Sequence, residues 1–411
     1  MGHIIDLYGS DSRFDRSLSS SRTDDEFWRI VREQFVFPDD YIYMNTGGIG
    51  ALPSLVINKL VTSINEQEKH PRPGHSHEDW LKTKKICSSF FGPEIKVEEL
   101  ALNSCATEGI NIILNGLGLK SGDEIITSTH EHPAVHIPLL NHHHYNKIGI
   151  KTFDPDMEKA GGNLERISKL ITSKTRLILI SHITCTTGQK YPIKEIAQLA
   201  ARKGIIMAVD GAQVPGSMEI DLKDMNVDYY VTSGHKWMLG PKRTGILYVP
   251  ERNLPKLQPT TVGAYSDSGY DIEKMTINLQ ESAQRFEFGT QNEPLFLGLA
   301  AGAQFVKTIG LKRVQSHNRE LAEAFYEGLR KMGNIEILSP KQKDYRSSMI
   351  TFRIAGRKNR DIANYLGKGD AIRVRVVDEA GLNGVRVSFH VYNQGFEVER
   401  IINKISDFLK Q

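Results

Sequence analysis

Cysteine is scarce in this chain. Cys87, Cys105 and Cys185 are the only three among 411 residues, too few and too odd in number for a disulfide framework, which points to a reducing, cytoplasmic compartment. An excess of one charge is missing as well: 52 Lys and Arg against 49 Asp and Glu leave a net +3, a field too weak to call for nucleic acid or an anionic membrane as partner. No apolar run approaches the ~20 residues that span a bilayer. Across residues 1 to 30, Asp6, Asp11, Arg13, Asp15 and Arg16 interrupt any signal-peptide core, and Ser17 to Ser21 read as a mobile lead-in. Internal repeats, low-complexity tracts and the glycine fingerprint of a dinucleotide site are all lacking. What these absences leave is a soluble chain acting on a small molecule, long enough for a large core and two domains.

Between residues 97 and 250, strand-like and helix-like runs alternate. Ala101–Asn103, Asp123–Ser128, Arg176–Ile180, Gly204–Asp210, Tyr229–Val231 and Ile246–Val249 read as strands; His132–Tyr145, Leu164–Ile171 and Ile193–Lys203 read as helices. Such alternation predicts a mostly parallel sheet with helices on both faces, its last strand antiparallel because so little chain precedes it. From about residue 295 the pattern changes. Leu321, Phe325 and Leu329, and later Val398, Ile401, Ile405 and Leu409, recur at helical spacing, while Ser348–Arg353 and Val385–Val391 alternate as half-buried strands. The expected organisation is an N-terminal arm over 1–42 packing with the small domain, a large α/β domain over 43–295 and a smaller α+β domain over 296–411.

Chemistry concentrates at Lys236, in the turn Ser233-Gly234-His235-Lys236 between two aromatic and β-branched runs. An amine buried there loses hydration, its pKa falls, and the neutral form can attack a carbonyl. Ser233 and His235 offer donors for a phosphate, and Gly234 and Gly240 offer tight backbone paths. Upstream, Asp210 ends a buried run, where a carboxylate can hold a pyridine nitrogen protonated and make the ring an electron sink. Each residue has a plainer role on its own, Lys236 in a solvated turn and Asp210 as a helix cap or magnesium ligand. Together they form a pyridoxal-phosphate arrangement.

Four motifs, in order, resemble the fold-type I pyridoxal-phosphate enzymes of the class V aminotransferase group, which includes cysteine desulfurases and isopenicillin N epimerase-like proteins. They are Asn103-Ser104-Cys105-Ala106-Thr107-Glu108-Gly109, Glu131-His132-Pro133-Ala134, Ser181-His182-Ile183-Thr184-Cys185-Thr186-Thr187-Gly188 and Gly384-Val385-Arg386-Val387-Ser388-Phe389-His390. The resemblance implies a large domain of the seven-stranded α/β/α type with pyridoxal 5'-phosphate carried on Lys236 as a Schiff base. It further implies phosphate contacts from Ala106 and Thr107 at a helix N-terminus, His132 stacked on the ring, and Arg386 clamping a substrate carboxylate. Cys185 stands where many relatives carry an asparagine supporting the cofactor's phenolic oxygen, so that hydrogen bond passes to Gln213. Phe288-Gly289-Thr290 resembles a segment reaching the phosphate of a partner subunit, with Arg285 beside it, which implies a homodimer. Asn45, in a glycine-rich turn, is expected to border the substrate pocket.

His130, His132, His136 and the row His142 to His144 raise the question of zinc, but consecutive helical histidines point three ways and no carboxylate or thiolate joins them, so no metal is expected. The implied activity is proton removal at Cα of an amino acid by Lys236. Its outcome is transamination or a β-eliminating C–S lyase reaction, with epimerisation and a non-catalytic ligand-binding module as alternatives. Cysteine desulfuration by the usual route is disfavoured, because Ala371 to Ala380 before Arg386 contains no cysteine. Arg373 and Arg375 in that stretch suit a second substrate carboxylate or solvent equally.

Overall fold

Runs of β-branched and aromatic residues form a seven-stranded sheet. In the computed structural model, which describes residues 12–159, 161–369 and 371–411, its strands are β1 (Leu100–Asn103), β2 (Glu124–Ser128), β3 (Gly149–Phe153), β4 (Thr175–Ser181), β5 (Ile206–Asp210), β6 (Tyr229–Ser233) and β7 (Gly245–Tyr248). Their order is β1-β7-β6-β5-β4-β2-β3. Neighbours from β6 through β3 pair in parallel, whereas β7 runs antiparallel to both β6 and β1. The expected reversal follows from connection length, since residues 234–244 are too few for a parallel crossover. Asp6 and Asp11 lie outside the described residues.

The pleat sends successive side chains to opposite faces. Ile178 and Ile180 of β4 pack in one core with Val209, Tyr230 and Tyr248, and Leu177 and Leu179 join the other with Ala208, Val231 and Leu247. Helix α1 (Ala106–Gly116) buries Ile110, Ile113 and Leu114 in the second core, and α3 (Ile193–Arg202) buries Ile193, Ile196 and Ala200 in the first; α2 (Pro133–Asn146) lies between them in sequence. Both faces are therefore covered, and β1, β6 and β7 are buried along their whole length.

The turn after β6 differs from expectation in one respect. Left-handed backbone falls on Leu239 (φ 54°) and Arg243 (φ 66°), not on its glycines. Gly234 and Gly240 serve packing instead: a Cβ on either would lie 2.5 or 2.7 Å from Leu299 Cδ1, in helix α4 (Glu293–Ile309).

A hairpin of β8 (Asp267–Asp271) and β9 (Thr276–Leu279) follows, and then a separate antiparallel sheet of β10 (Ile335–Ile337), β11 (Met349–Ile354), β12 (Arg375–Val377) and β13 (Gly384–Ser388), ordered β10-β11-β13-β12. Its apolar face packs under α5 (Leu311–Arg330) and α6 (Gly395–Leu409) through Phe325, Phe352, Phe389 and Ile401. The strand expected over Val385–Val391 stops at Ser388, because His390 N–H donates to Asn393 Oδ1 and turns the chain. Ahead of these layers, Trp28 stacks on His317 of α5 at 3.6 Å and Arg32 pairs with Glu397 of α6, while Phe14, Phe27 and Val31 join the core of the large sheet. No single helix among the described residues is long and apolar enough to cross a membrane.

Candidate active site

A cavity of about 280 Å³ opens where β4, β5 and β6 end, at the carboxyl edge that open α/β sheets use for ligands. Strand register sets Asp210 of β5 beside Ser181 of β4 and Val231 of β6. Ser233 closes β6, and Lys236 three residues on turns back into the same cavity. The predicted pair thus faces one space.

Both members are buried. Burial lowers the pKa of Lys236 and raises that of Asp210, and each charge partly restrains the other. Asp210 Oδ1 accepts the Ala212 amide at 2.9 Å, which fixes the carboxylate at the strand end. His132 also lines the cavity. Its Nδ1 accepts the Ala134 amide at 3.0 Å and caps α2, so Nε2 carries the ring proton. Burial, then the nearby Lys236 charge, hold this imidazole down to about 4, and it stays neutral.

Arg386, on β13, is wholly buried, and burial brings its pKa down to about 9. Its Nη1 donates to the Cys185 carbonyl at 2.5 Å and its Nη2 to Asn45 Oδ1 at 3.0 Å, while Nε has no partner. A buried guanidinium facing a cavity with donors unspent could hold a carboxylate. Asn45 does not line the cavity; it orients the arginine. Gly47 leaves room for that guanidinium, since a Cβ there would lie 2.9 Å from Arg386 Nη2. Of the two flanking arginines, Arg373 is exposed, whereas Arg375 lines the cavity, donates to the Cys185 carbonyl at 3.0 Å and pairs with Glu379.

At the opposite wall, Cys105, Ala106 and Thr107 begin α1. The Ala106 amide already donates to Ser233 Oγ at 3.1 Å, so an anion there would share it, and Thr107 is the next residue at the helix end. His235 lines the cavity with Nδ1 unpartnered. Gln213 is more committed than its assigned role implied: Oε1 accepts Trp237 Nε1 at 2.8 Å and Nε2 donates to Gly47 O at 2.9 Å, which leaves one amide proton. Thr290 is exposed and outside the lining; its expected contact concerns another chain's cofactor. Arg285 is engaged locally, donating to Gln280 O and Leu254 O.

Sequence reasoning passed over Glu131 as more than a motif letter. It is fully buried, accepts from Ser128 Oγ at 2.5 Å and from Ser181 N–H at 2.8 Å, and so ties β2 to β4 directly behind His132. The other histidines also have protein partners: His130 meets Thr186 Oγ1, His136 Ser128 O, His142 Asn115 Oδ1 and His143 Ile148 O. Among the described residues no three His, Cys, Asp or Glu side chains converge as metal ligands.

These ionisations predict how stability depends on pH. Burial holds His132, His235 and His317 down at about 4 and His182 and His390 at about 3, from an ordinary 6.5. Each binds fewer protons folded than unfolded below 6.5, so its contribution is present above that pH and lost on acidification. Glu131, pushed up from 4.5 to about 7 by burial, acts oppositely, its contribution fading as pH rises through 7. Burial also raises Asp210 and Glu397, which act as Glu131 does, so these five histidines oppose three carboxyls. Tm is expected to fall steadily between pH 6.5 and 4, and calorimetry showing a flat or rising Tm over that range would refute the assignment.

The donor set, an amine facing a strand-end carboxylate with a neutral imidazole and a helix N-terminus around them, fits pyridoxal phosphate. Residues 69–401 match the family described as aminotransferase class-V. A probable cysteine desulfurase of Pyrococcus abyssi is 28% identical over 92% of this chain and 97% of its own length. One of Staphylococcus aureus is 30% identical over 75% and 76%. The solved apo structure of a cysteine desulfurase from Thermococcus onnurineus NA1 matches with a TM-score of 0.83 at 26% identity, over 95% of this chain and 99% of that one. These relatives carry desulfurase names, whereas the lack of a cysteine from Ala371 to Ala380 disfavoured desulfuration by the usual route.

Proposed function

The chain belongs to the class-V aminotransferase family of pyridoxal-phosphate enzymes, and from that premise we propose that it breaks the Cβ–S bond of a cysteine-type amino acid. Within the expected pair of outcomes this favours the C–S lyase over the transaminase, close to the desulfurase chemistry that the missing loop cysteine disfavoured. Support comes from relatives named as probable cysteine desulfurases. The observation that carries the proposal is the single cavity joining Lys236, Asp210 and Arg386.

Lys236, Asp210 and His132, with the start of α1, would hold the cofactor. Bound there, pyridoxal phosphate supplies an aldehyde that condenses with amines and a ring that accepts electrons from Cα. The remaining work belongs to side chains. Arg386 takes the substrate carboxylate with its unspent donors, which fixes Cα relative to Lys236. Burial lowers the pKa of Lys236, which favours the neutral amine that would remove the Cα proton and return a proton to a departing group. Asp210 would hold a proton on the cofactor from the end of β5, and neutral His132 would add no charge there. Arg375 stands ready for a second anionic group, its own charge balanced by Glu379.

The test is an amino-acid panel given to the cofactor-loaded enzyme and read together for sulfur released, keto acid formed and deuterium exchanged at Cα. Sulfur release from cysteine or cystine is expected to dominate. Keto acid appearing only with an added acceptor keto acid, without sulfur, would make the chain a transaminase and end the proposal; Cα exchange alone would make it an epimerase.

A further inference from the structure

We propose that His390 is a positioning residue for Lys236: it ties the turn that carries the amine to the strand that carries Arg386, and so sets how far the base stands from the substrate carbon. This rests on Lys236 removing the Cα proton, as in the function proposed above, and adds the device that aims it. A base and a carboxylate clamp on different elements act together only when the distance between them is held. Lys236 lies in the turn after β6, whereas Arg386 lies on β13 of the other sheet.

His390 closes the short segment that begins at Arg386, and its side chain is 0% exposed. The main chain of that segment is braced: Ser388 N–H donates to Met44 O at 2.9 Å, Phe389 N–H to Ser348 O at 3.0 Å and His390 N–H to Asn393 Oδ1 at 2.9 Å. From this support the imidazole crosses to the Lys236 turn. Its Nε2 lies 3.0 Å from the carbonyl oxygen of Trp237, the residue next to Lys236. A carbonyl only accepts, so Nε2 carries the ring proton, and Nδ1 accepts from Asn318 Nδ2 of α5 at 3.3 Å. Both ring nitrogens are spent, which fixes the tautomer. Gly216 makes room for the contact, since a Cβ there would lie 2.2 Å from the same Trp237 oxygen.

A second tie leaves Trp237 by its indole. Nε1 donates to Gln213 Oε1 at 2.8 Å, Gln213 Nε2 donates to Gly47 O at 2.9 Å, and Gly47 packs against the Arg386 guanidinium. Main chain and side chain of Trp237 are thus held at once, and both ties lead back to Arg386. His390 is outside the cavity lining, so its effect on the reaction passes through Lys236. Packing alone does not account for the residue. An apolar side chain would fill the same space beside the Trp237 ring, at 5.1 Å between centroids, but would take the donor away from a buried carbonyl. A buried carbonyl short of a donor shifts toward another, and the amine beside it shifts too.

The experiment compares His390→Leu, which fills the space without a donor, with His390→Gln, whose amide reaches a similar point. Three readings are taken: Tm of the apoprotein; the time course of pyridoxal phosphate capture by the apoprotein, quenched with borohydride and read as cofactor on the Lys236 peptide; and kcat and KM with L-cysteine beside Cα deuterium exchange. In His390→Leu capture and exchange are expected to slow together and kcat to fall by roughly 10²-fold, the loss that a misplacement of about 1 Å brings. KM is expected to change little, because Arg386 still takes the carboxylate. His390→Gln is expected to recover most of both rates. A lower Tm with capture and kcat unchanged would make His390 a packing residue and overturn the proposal. So would a rise in KM alone, which would place the damage at Arg386. Should the leucine variant not fold, His390→Asn, polar but too short to reach Trp237 O, takes its place, and equal rates in the Asn and Gln variants would overturn the proposal. Wild type that exchanges Cα deuterium yet releases no sulfur would end the C–S cleavage reading and leave this test intact, since capture needs no substrate and exchange precedes that bond.

Discussion

Lys236→Ala is expected to fold normally, to lose the absorbance above ~400 nm that a lysine-linked cofactor gives, and to turn over cysteine slower by roughly 10²–10⁴-fold from the lost base alone. The structural reason is that no other amine lines the cavity: its remaining cations are Arg375 and Arg386, which do not give up protons near neutrality. His132 cannot substitute, because its Nδ1 is spent on the Ala134 amide and its Nε2 already carries a proton. Folding should survive, since the turn is held by main-chain contacts such as Gly50 N–H to His235 O at 2.8 Å and Gly240 N–H to Gly234 O at 2.9 Å, not by the ammonium. Removing a buried amine also removes a desolvation cost. A small primary amine added to the variant should restore part of the Cα proton exchange. Turnover within a few fold of wild type, with a matching circular dichroism spectrum, would remove Lys236 from the mechanism.

How far the sequence foretold this site depends on what kind of signal each residue left. Asp210 and Lys236 were legible because a buried parallel strand leaves a continuous apolar run, and the polar residue that ends it stands out. The same rule fails for β3, whose residues are mostly half-buried or exposed, with Gly149, Lys151 and Thr152 among them. It fails again for the helix Ser54–Lys69, which buries only Val56 and so shows no apolar stripe. The hairpin β8–β9 was invisible for a related reason: Tyr270, Ile272, Met275 and Ile277 are exposed, and no core imposes alternation on them. Within the site, Gln213 was given a free amide because the sequence holds no record that Trp237 would take its oxygen. Likewise the left-handed residues of the Lys236 turn are Leu239 and Arg243, a tertiary override of local preference, while its glycines answer to Leu299 of a distant helix. Residue identity at strand ends was readable; the partners those residues would meet were not.

Arg386→Met should separate function from stability. In wild type this guanidinium is 0% exposed and forms no ion pair among the described residues, so the proposed substrate carboxylate would supply its counter-charge. Hydrogen bonds to charged groups are worth about 1.5–3 kcal/mol each, so losing a two-pronged clamp should lower kcat/KM by roughly 10²–10⁴-fold at ~1.4 kcal/mol per tenfold. Most of the loss should fall on KM, because the carboxylate is held alike before and during reaction. Stability should move little or upward. Exchanging a buried charge for an apolar side chain of similar length is often neutral or stabilising by ~1–4 kcal/mol, offset by about 1–3 kcal/mol for Asn45 Oδ1 left without its donor. The Cys185 carbonyl keeps the Arg375 Nη1 bond at 3.0 Å. Ligand-free Tm is therefore expected at or above the wild-type value, and a carboxylate analogue of the substrate should raise Tm in wild type but not in the variant. A variant that melts well below wild type while binding the analogue normally would show that Arg386 holds the β13 region together and that the carboxylate is recognised elsewhere.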